Sequence, residues 1–331
     1  MFTKSKFCII VFLFILFFSF SVYASSPEVA VSVYPVYEVV NSIGEDVVEI
    51  ELIVPSGAEL HSYEPSIREI ASLENVDIFF YIGLGLEPWV DRAVDNLQER
   101  GVKTVRMTEG LELREYGEEH DCDHHHEDCQ EEHHGHHEHN DHNNGEQVHD
   151  HGHDHGKYDP HVWLDPLLMK SMGEIVAEEL IELYPEKEEK LRENFNDFSH
   201  RLNRLDKNYS EGLVDIDSEM IIVSHAAFGY LARRYGFQQK AVTGVSPHAE
   251  PSPAAIAELA ELVEEYSLKY IYQEKLAAPR SVEVLAEETD LEVLILDPLA
   301  GLTPEEQEEG EDYFSIMKNN LEMLQRGLNN E

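Results

Sequence analysis

Short apolar segments alternate with amphipathic segments along most of this sequence, on both sides of one long predicted helix. That helix runs from Glu186 to about Gly212, and its apolar residues recur at the helical period: Leu191, Phe195, Phe198, Leu202, Leu205 and Tyr209. Strand-like segments precede it at residues 29–33, 47–54, 77–82 and 103–107 and follow it at 220–223, 239–243, 269–272 and 292–296. Repeated strand–helix units predict an α/β fold, with two lobes of parallel-type sheets flanked by helices and joined by the long helix.

The predicted domain order follows from this pattern. An N-terminal α/β lobe occupies residues 25–185, the linking helix covers 186–213, and a C-terminal α/β lobe occupies 214–331. Ligand sites form preferentially at domain interfaces, so the cleft between the two lobes is where we expect one.

The first 24 residues have the pattern of an export signal. Lys4 and Lys6 precede an unbroken apolar run from residue 7 to residue 18, and Val22-Tyr23-Ala24 forms a small-residue cleavage site. The alternative is an uncleaved membrane anchor, although the unbroken run is shorter than the ~20 residues that span a bilayer. We therefore expect an exported protein, periplasmic or extracellular, with membrane association as the alternative.

The segment 117–157 differs in composition from the rest of the chain. It holds 14 of the 19 histidines and 13 acidic residues, and its apolar residues are limited to Cys122, Cys129 and Val148. So few apolar groups cannot offset the entropy cost of ordering, which predicts a disordered loop. Its imidazoles suggest weak binding of additional Zn²⁺, with a simple solvated linker as the alternative. The two cysteines either pair in an oxidising compartment or bind metal.

The charge of the whole chain limits its partners. Acidic residues outnumber basic ones 67 to 24, which gives a formal net charge of −43. A chain this acidic repels phosphate backbones and anionic lipid surfaces, so nucleic-acid binding is excluded.

Outside the histidine-rich segment, a small set of side chains has the chemistry of a metal site. His61 follows the strand 47–54, His225 follows the strand 220–223, and Asp297 follows the strand that ends at Leu296. His161 lies in a proline-bracketed turn directly before a helix. Loops at the carboxyl ends of parallel strands converge on one crevice, and three imidazoles with one carboxylate suit four-coordinate zinc. Taken singly, each histidine is equally well explained as a surface or hydrogen-bonded residue.

Six ordered blocks of sequence resemble one protein family. They are GAELHSYEPS (57–66), GLGLEPWV (83–90), DPHVWLDP (159–166), VSHAAFGYLARRYGF (223–237), GVSPHAEPSP (244–253) and VLILDPLAGLT (293–303). With the histidine-rich segment between the second and third blocks, they resemble the metal-binding solute-binding proteins of zinc and manganese ABC importers, and above all the zinc-binding members.

This resemblance implies a set of site residues. His61, His161 and His225 match the family's histidine ligands, and Asp297 matches its carboxylate ligand. Manganese members carry Glu at the position of His225, so zinc is favoured. Some zinc members place an acid directly before the first ligand; here Leu60 is at that position and Glu59 lies one residue further back, which argues against a direct role for Glu59. His248 occupies a position that is often acidic in the family, and we expect it beside the site or exposed.

The resemblance also implies how the protein works. We expect a monomeric, non-enzymatic receptor that captures Zn²⁺ and delivers it to an ABC permease. The long helix matches the family's stiff interdomain spine, which implies limited hinge motion. Two alternatives remain open: a manganese or iron receptor of the same fold, and a zinc-dependent hydrolase. The hydrolase is disfavoured because the chain has no H-E-x-x-H motif and four ligands would fill the coordination sphere.

Overall fold

The structure is a computed structural model that describes residues 28–116, 156–243, 252–276 and 280–329. The predicted export signal, Cys122, Cys129, His248 and all but the last two residues of the segment 117–157 lie outside these ranges. The predictions made for them therefore stay predictions.

The N-terminal lobe is built around a four-stranded parallel sheet. Its strands are β1 (Glu28–Val31), β2 (Glu49–Leu52), β3 (Ile78–Tyr81) and β4 (Lys103–Arg106), in the order β2-β1-β3-β4. The helices of this part are α1 (Tyr34–Gly44), α2 (Ile67–Ser72) and α3 (Val90–Glu99). All four residues of β3 are buried, as expected for an interior strand of a sheet that is covered on both faces.

Two helices connect the lobes. Helix α4 (Pro166–Leu183) begins where the Asp165 side chain accepts hydrogen bonds from the backbone N–H groups of Leu167 and Leu168. Helix α5 (Glu188–Gly212) is 25 residues long and packs against α4 and α1. A Cβ atom on Gly173 of α4 would lie 3.1 Å from the ring of Phe198, so glycine there lets the two helices approach closely.

The C-terminal lobe repeats the sheet of the first. Strands β5 (Met220–Val223), β6 (Gln238–Ala241), β7 (Tyr270–Gln273) and β8 (Glu292–Ile295) are parallel, in the order β6-β5-β7-β8. Its helices are α6 (Gly229–Tyr235), α7 (Pro253–Glu265), α8 (Arg280–Thr289), α9 (Pro304–Glu309) and α10 (Tyr313–Leu328).

One hydrophobic core runs through both lobes, and each lobe has a second core of its own. Phe80 of β3 and Ile221 of β5 belong to the shared core together with Phe198 of α5. Their strand neighbours Phe79 and Ile222 point to the opposite sheet faces and belong to the separate outer cores. The strand period of two thus assigns alternate residues either to the common interior or to the interior of a single lobe.

The predicted fold class is confirmed, with two parallel-sheet α/β lobes and one long helix. Helix α1 has Pro35 in its first turn, where a missing N–H does not matter. The predicted lobe boundaries stay predictions. Within the described ranges, none of the helices combines the length and the apolar character that crossing a bilayer requires.

Candidate metal centre

Each candidate histidine lies on a loop that the fold brings to the cleft. His225 follows β5 after a single intervening serine, and His61 lies in the turn region beyond β2. His161 directly precedes a short 3₁₀ turn, Val162–Leu164, which leads into α4. The first two positions are at the carboxyl ends of strands, as the sequence predicted, and the third is at the entrance of a helix.

The three histidines converge, although 164 positions separate the first from the last in the chain numbering. Their ring centroids are 5.3 Å apart for His61 and His161, 5.7 Å for His61 and His225, and 5.3 Å for His161 and His225. One potential ligand atom from each residue lies within 4.8 Å of those of the other two. His161 and His225 are almost completely buried, and His61 is partly exposed.

Buried carboxylates hold two of the imidazoles. The Nδ1 atom of His161 is 2.8 Å from Oδ1 of Asp159, and Nδ1 of His225 contacts Oε1 of Glu274. An ionised carboxylate can only accept a hydrogen bond, so each Nδ1 is the donor in these pairs, and Nε2 is the nitrogen that each of the two rings turns toward the other. Carboxylate–histidine pairs of this kind are typical of metal sites.

The spacing of these nitrogens fits a zinc ion. The Nε2 atoms of His161 and His225 are 3.5 Å apart. Two nitrogens bound to one tetrahedral zinc ion, at bond lengths of about 2.0–2.1 Å, are separated by roughly 3.3 Å. Without a cation between them, two lone pairs would face each other at this distance. The donor set therefore suits a divalent cation that prefers nitrogen.

Trp163 links this cluster to the second lobe. Its ring is 5.3 Å from that of His161, and its Nε1–H donates to the carbonyl oxygen of Pro298 at 2.8 Å. The hydroxyl of Tyr313, at the start of α10, donates to the carbonyl oxygen of Trp163 at 2.8 Å. The loop that carries His161 is thus tied to both ends of the segment that connects β8 to α10.

Asp297, the fourth predicted ligand, lies close by but outside the histidine cluster. Its Oδ1 accepts a hydrogen bond from the Leu299 backbone N–H at 2.8 Å, and its Oδ2 is 3.8 Å from Nζ of Lys275. Burial raises the pKa of the Asp297 carboxyl to about 6, against the lowering effect of these two neighbours. Its carboxylate is not one of the three ligand groups that lie within 4.8 Å of one another.

Glu59 and Glu274 line the cavity beside the histidines. Glu59 Oε1 accepts the backbone N–H of His61 at 2.9 Å, so it shapes the turn that carries this histidine. Glu274 and Asp159 were missed as functional residues by the sequence analysis. The signal was available for both: Glu274 directly follows β7, and Asp159 stands two residues before His161.

Comparison with known proteins gives consistent matches over nearly the whole chain. A family model described as ZnuA, zinc-uptake complex component A, periplasmic, matches residues 29–327. The zinc-binding lipoprotein AdcA of Streptococcus pneumoniae is 35% identical over 304 residues, which are 92% of this chain and 56% of that protein. The high-affinity zinc uptake system protein ZnuA of Bacillus subtilis is 33% identical over 301 residues, which are 91% of this chain and 87% of that protein.

Solved structures agree with these sequence matches. The crystal structure of the Zn(II)-bound ZnuA-like domain of S. pneumoniae AdcA has a TM-score of 0.72 and 32% identity, and the match covers 92% of this chain and 100% of that domain. The chain spans a little over half the length of the AdcA relatives that it matches.

Proposed function

This chain belongs to the ZnuA family of periplasmic zinc-uptake components, and on that premise we propose that it is the zinc-capturing receptor of an ABC importer. It binds Zn²⁺ in the cleft between its lobes through His61, His161 and His225. It then delivers the ion to a membrane permease and catalyses no reaction of its own. The names of its relatives and its family support this proposal.

The convergence of three imidazoles from separate parts of the chain carries the proposal. Two of them, His61 and His161, come from segments before the long helix, and His225 comes from the lobe after it. A bound ion therefore contacts both lobes at once. This is the arrangement expected of a receptor that holds its ion between two lobes.

The nitrogen-rich donor set favours zinc over manganese. Imidazole is a common zinc ligand, whereas manganese prefers a larger share of carboxylate and water oxygen. The manganese or iron receptor remains the alternative within the same fold. A hydrolase would need an open coordination position for water and a general base beside it, and the carboxylates paired with His161 and His225 are already engaged by imidazole Nδ1 atoms.

The proposed fourth ligand is the carboxylate of Asp297. We keep Asp297 in this role because it follows β8 at the same end of the sheet as His225 and its carboxylate is buried. To bind the ion its carboxylate has to lie closer to the three imidazoles, because it is outside the group of ligand atoms that lie within 4.8 Å of one another. Water in the fourth position is compatible with the three histidines alone.

Export to the periplasm or cell exterior completes the proposal. The family description is periplasmic, and AdcA of S. pneumoniae is named a lipoprotein. The net charge of −43 is consistent with a protein that meets cations rather than nucleic acids.

A metal competition titration tests this function. The metal-free protein is loaded with Zn²⁺, and the affinity of its tightest site is measured against a chromophoric chelator in the presence of Mn²⁺ at an equal concentration. We expect zinc to be retained. Displacement of zinc by Mn²⁺ at equal concentration would instead assign the protein to manganese.

A further inference from the structure

In each sheet, one inner strand, β1 or β5, is followed by a serine that is held by the same kind of backbone hydrogen bond. Ser32 follows β1 and donates its backbone N–H to the carbonyl oxygen of Phe80 at 3.0 Å. Ser224 follows β5 and donates its backbone N–H to the carbonyl oxygen of Tyr272 at 2.9 Å. The two serines therefore occupy equivalent places, each held by the neighbouring strand of its sheet.

Each serine binds a buried glutamate from the loop beyond that neighbouring strand. The Ser32 hydroxyl donates to Oε1 of Glu87 at 2.6 Å, and the Ser224 hydroxyl donates to Oε1 of Glu274 at 2.6 Å. All four residues are at most 5% exposed. The same serine–glutamate pair thus occurs once in each lobe, anchored to the carboxyl end of the central strand.

The two pairs differ in what else their carboxylate binds. Glu87 accepts the backbone N–H groups of Ile82 at 2.9 Å and Gly83 at 3.0 Å, so it stabilises the turn after β3. Glu274 instead contacts Nδ1 of His225. In one lobe the pair supports only the main chain, and in the other it supports an imidazole of the metal centre.

We infer that Glu274 is a positioning residue for zinc capture, which sets the tautomer and the ring orientation of His225 before the ion arrives. The inference rests on the proposed function. The carboxylate accepts the Nδ1–H, which leaves the lone pair of Nε2 directed at His161 and His61. Ser224 holds the carboxylate in turn, so the ring is anchored to β5 rather than to a free side chain, and binding zinc requires less ordering of it.

Glu274→Gln tests the inference, with Glu87→Gln as the matched control. Both substitutions replace a carboxylate by a neutral amide of similar shape beside a serine, and Glu87 touches none of the three histidines. We expect the zinc dissociation constant of the full chain to rise by about 10–100-fold in Glu274→Gln and by less than about twofold in Glu87→Gln. The dissociation constant is measured by chelator competition, and the melting temperature of the metal-free protein is recorded in parallel.

Two further readouts separate positioning from mere stability. The visible absorption of bound Co²⁺ reports ligand geometry, and we expect it to change in Glu274→Gln and to match the wild type in Glu87→Gln. If Glu274→Gln gives no folded protein, Glu274→Asp is compared with Glu87→Asp, because shortening the side chain withdraws the carboxylate from the imidazole. The Glu274 variant is again expected to lose the greater share of affinity.

Three results are decisive. Unchanged zinc affinity and an unchanged Co²⁺ spectrum in folded Glu274→Gln would overturn the inference while leaving zinc capture intact. Equal losses in the two glutamine variants would also overturn it, since the effect would then be one of general stability. Failure of the wild-type protein to bind zinc tightly would instead overturn the proposed function on which the inference rests.

Discussion

The two lobes share a sheet order and a serine–glutamate pair, yet they contribute differently to the metal centre. The elements before the long helix α5 supply His61 and His161, and the lobe after it supplies His225. The two glutamates differ as well. Glu87 accepts hydrogen bonds from backbone N–H groups, whereas Glu274 contacts an imidazole of the metal centre. The fold thus provides an equivalent anchoring point in each lobe, whereas the side chain placed against it decides whether that point takes part in binding.

The variants with the largest expected effect on zinc affinity test whether either lobe can bind zinc alone. If roughly 12 kcal/mol of zinc binding comes mainly from the three histidines, removing one costs about 4 kcal/mol, which is roughly 1,000-fold in affinity. We therefore expect His225→Ala and His161→Ala to weaken the tightest zinc site by similar factors, measured by chelator competition.

His200→Ala is the control for these variants, because His200 is an exposed histidine on α5. It should leave the dissociation constant unchanged. Retained affinity in His225→Ala would mean that the first part of the chain holds the ion without the second lobe, and the capture model would have to be abandoned.

The next variant tests what the C-terminal lobe contributes to zinc binding beyond His225, and its expected effect on affinity is smaller. Asp297→Asn should weaken zinc binding by less than about 10-fold, because water can replace a carboxylate in the fourth position. The same competition assay applies, with Asp215→Asn at an exposed position as control. A loss as large as that of His225→Ala would contradict the expectation and give Asp297 the same weight as a histidine.

The smallest expected effect is on stability, and it concerns the N-terminal lobe, where Glu87 binds backbone N–H groups rather than a histidine. Burial raises the pKa of the Glu87 carboxyl, while hydrogen bonds from Ser32, Ile82 and Gly83 lower it. Because the pKa is raised in the folded state, the folded protein keeps a proton there that the unfolded chain has lost. The folded state therefore loses stability as pH rises from the ordinary value of 4.5 through the raised value.

Glu87→Gln removes this titration. We expect its melting temperature, relative to the wild type, to increase by a few degrees between pH 4.5 and neutral pH in metal-free protein. A difference that is flat with pH would show that the buried carboxyl titrates as it does in the unfolded chain, and a difference that falls would show that folding lowers its pKa; either result contradicts the expectation.

Local pattern predicted the elements well where several signals agreed. Helix α4 begins where a helix was predicted, directly after the proline-bracketed turn of His161, and in the structure Asp165 caps it and Pro166 occupies its first turn. Strand β5 was predicted with its observed bounds, from a four-residue apolar run that is buried throughout. Strand β2 is shorter than the predicted 47–54, although Ile53 and Val54 still donate backbone hydrogen bonds to the neighbouring strand end.

The site was less accessible to sequence reasoning, for a physical reason. Strand ends identified His61, His225 and Asp297 as candidates, but the distances between loops depend on how the two sheets pack, which no local spacing encodes. The family resemblance supplied that arrangement, and ligand binding by the four residues stays a prediction. The same strand-end rule applied to β7 would have identified Glu274.

The core that runs through both lobes restricts which halves of related proteins can be joined to a half of this one. Each sheet has a complete set of parallel strands, yet Phe80 and Ile221 belong to one continuous apolar interior together with side chains of α5. A hybrid with its C-terminal half taken from a relative would bring mismatched side-chain volumes into that interior. Such a chimera requires both facing sets of residues to be exchanged together, so the two halves are expected to change in concert during divergence.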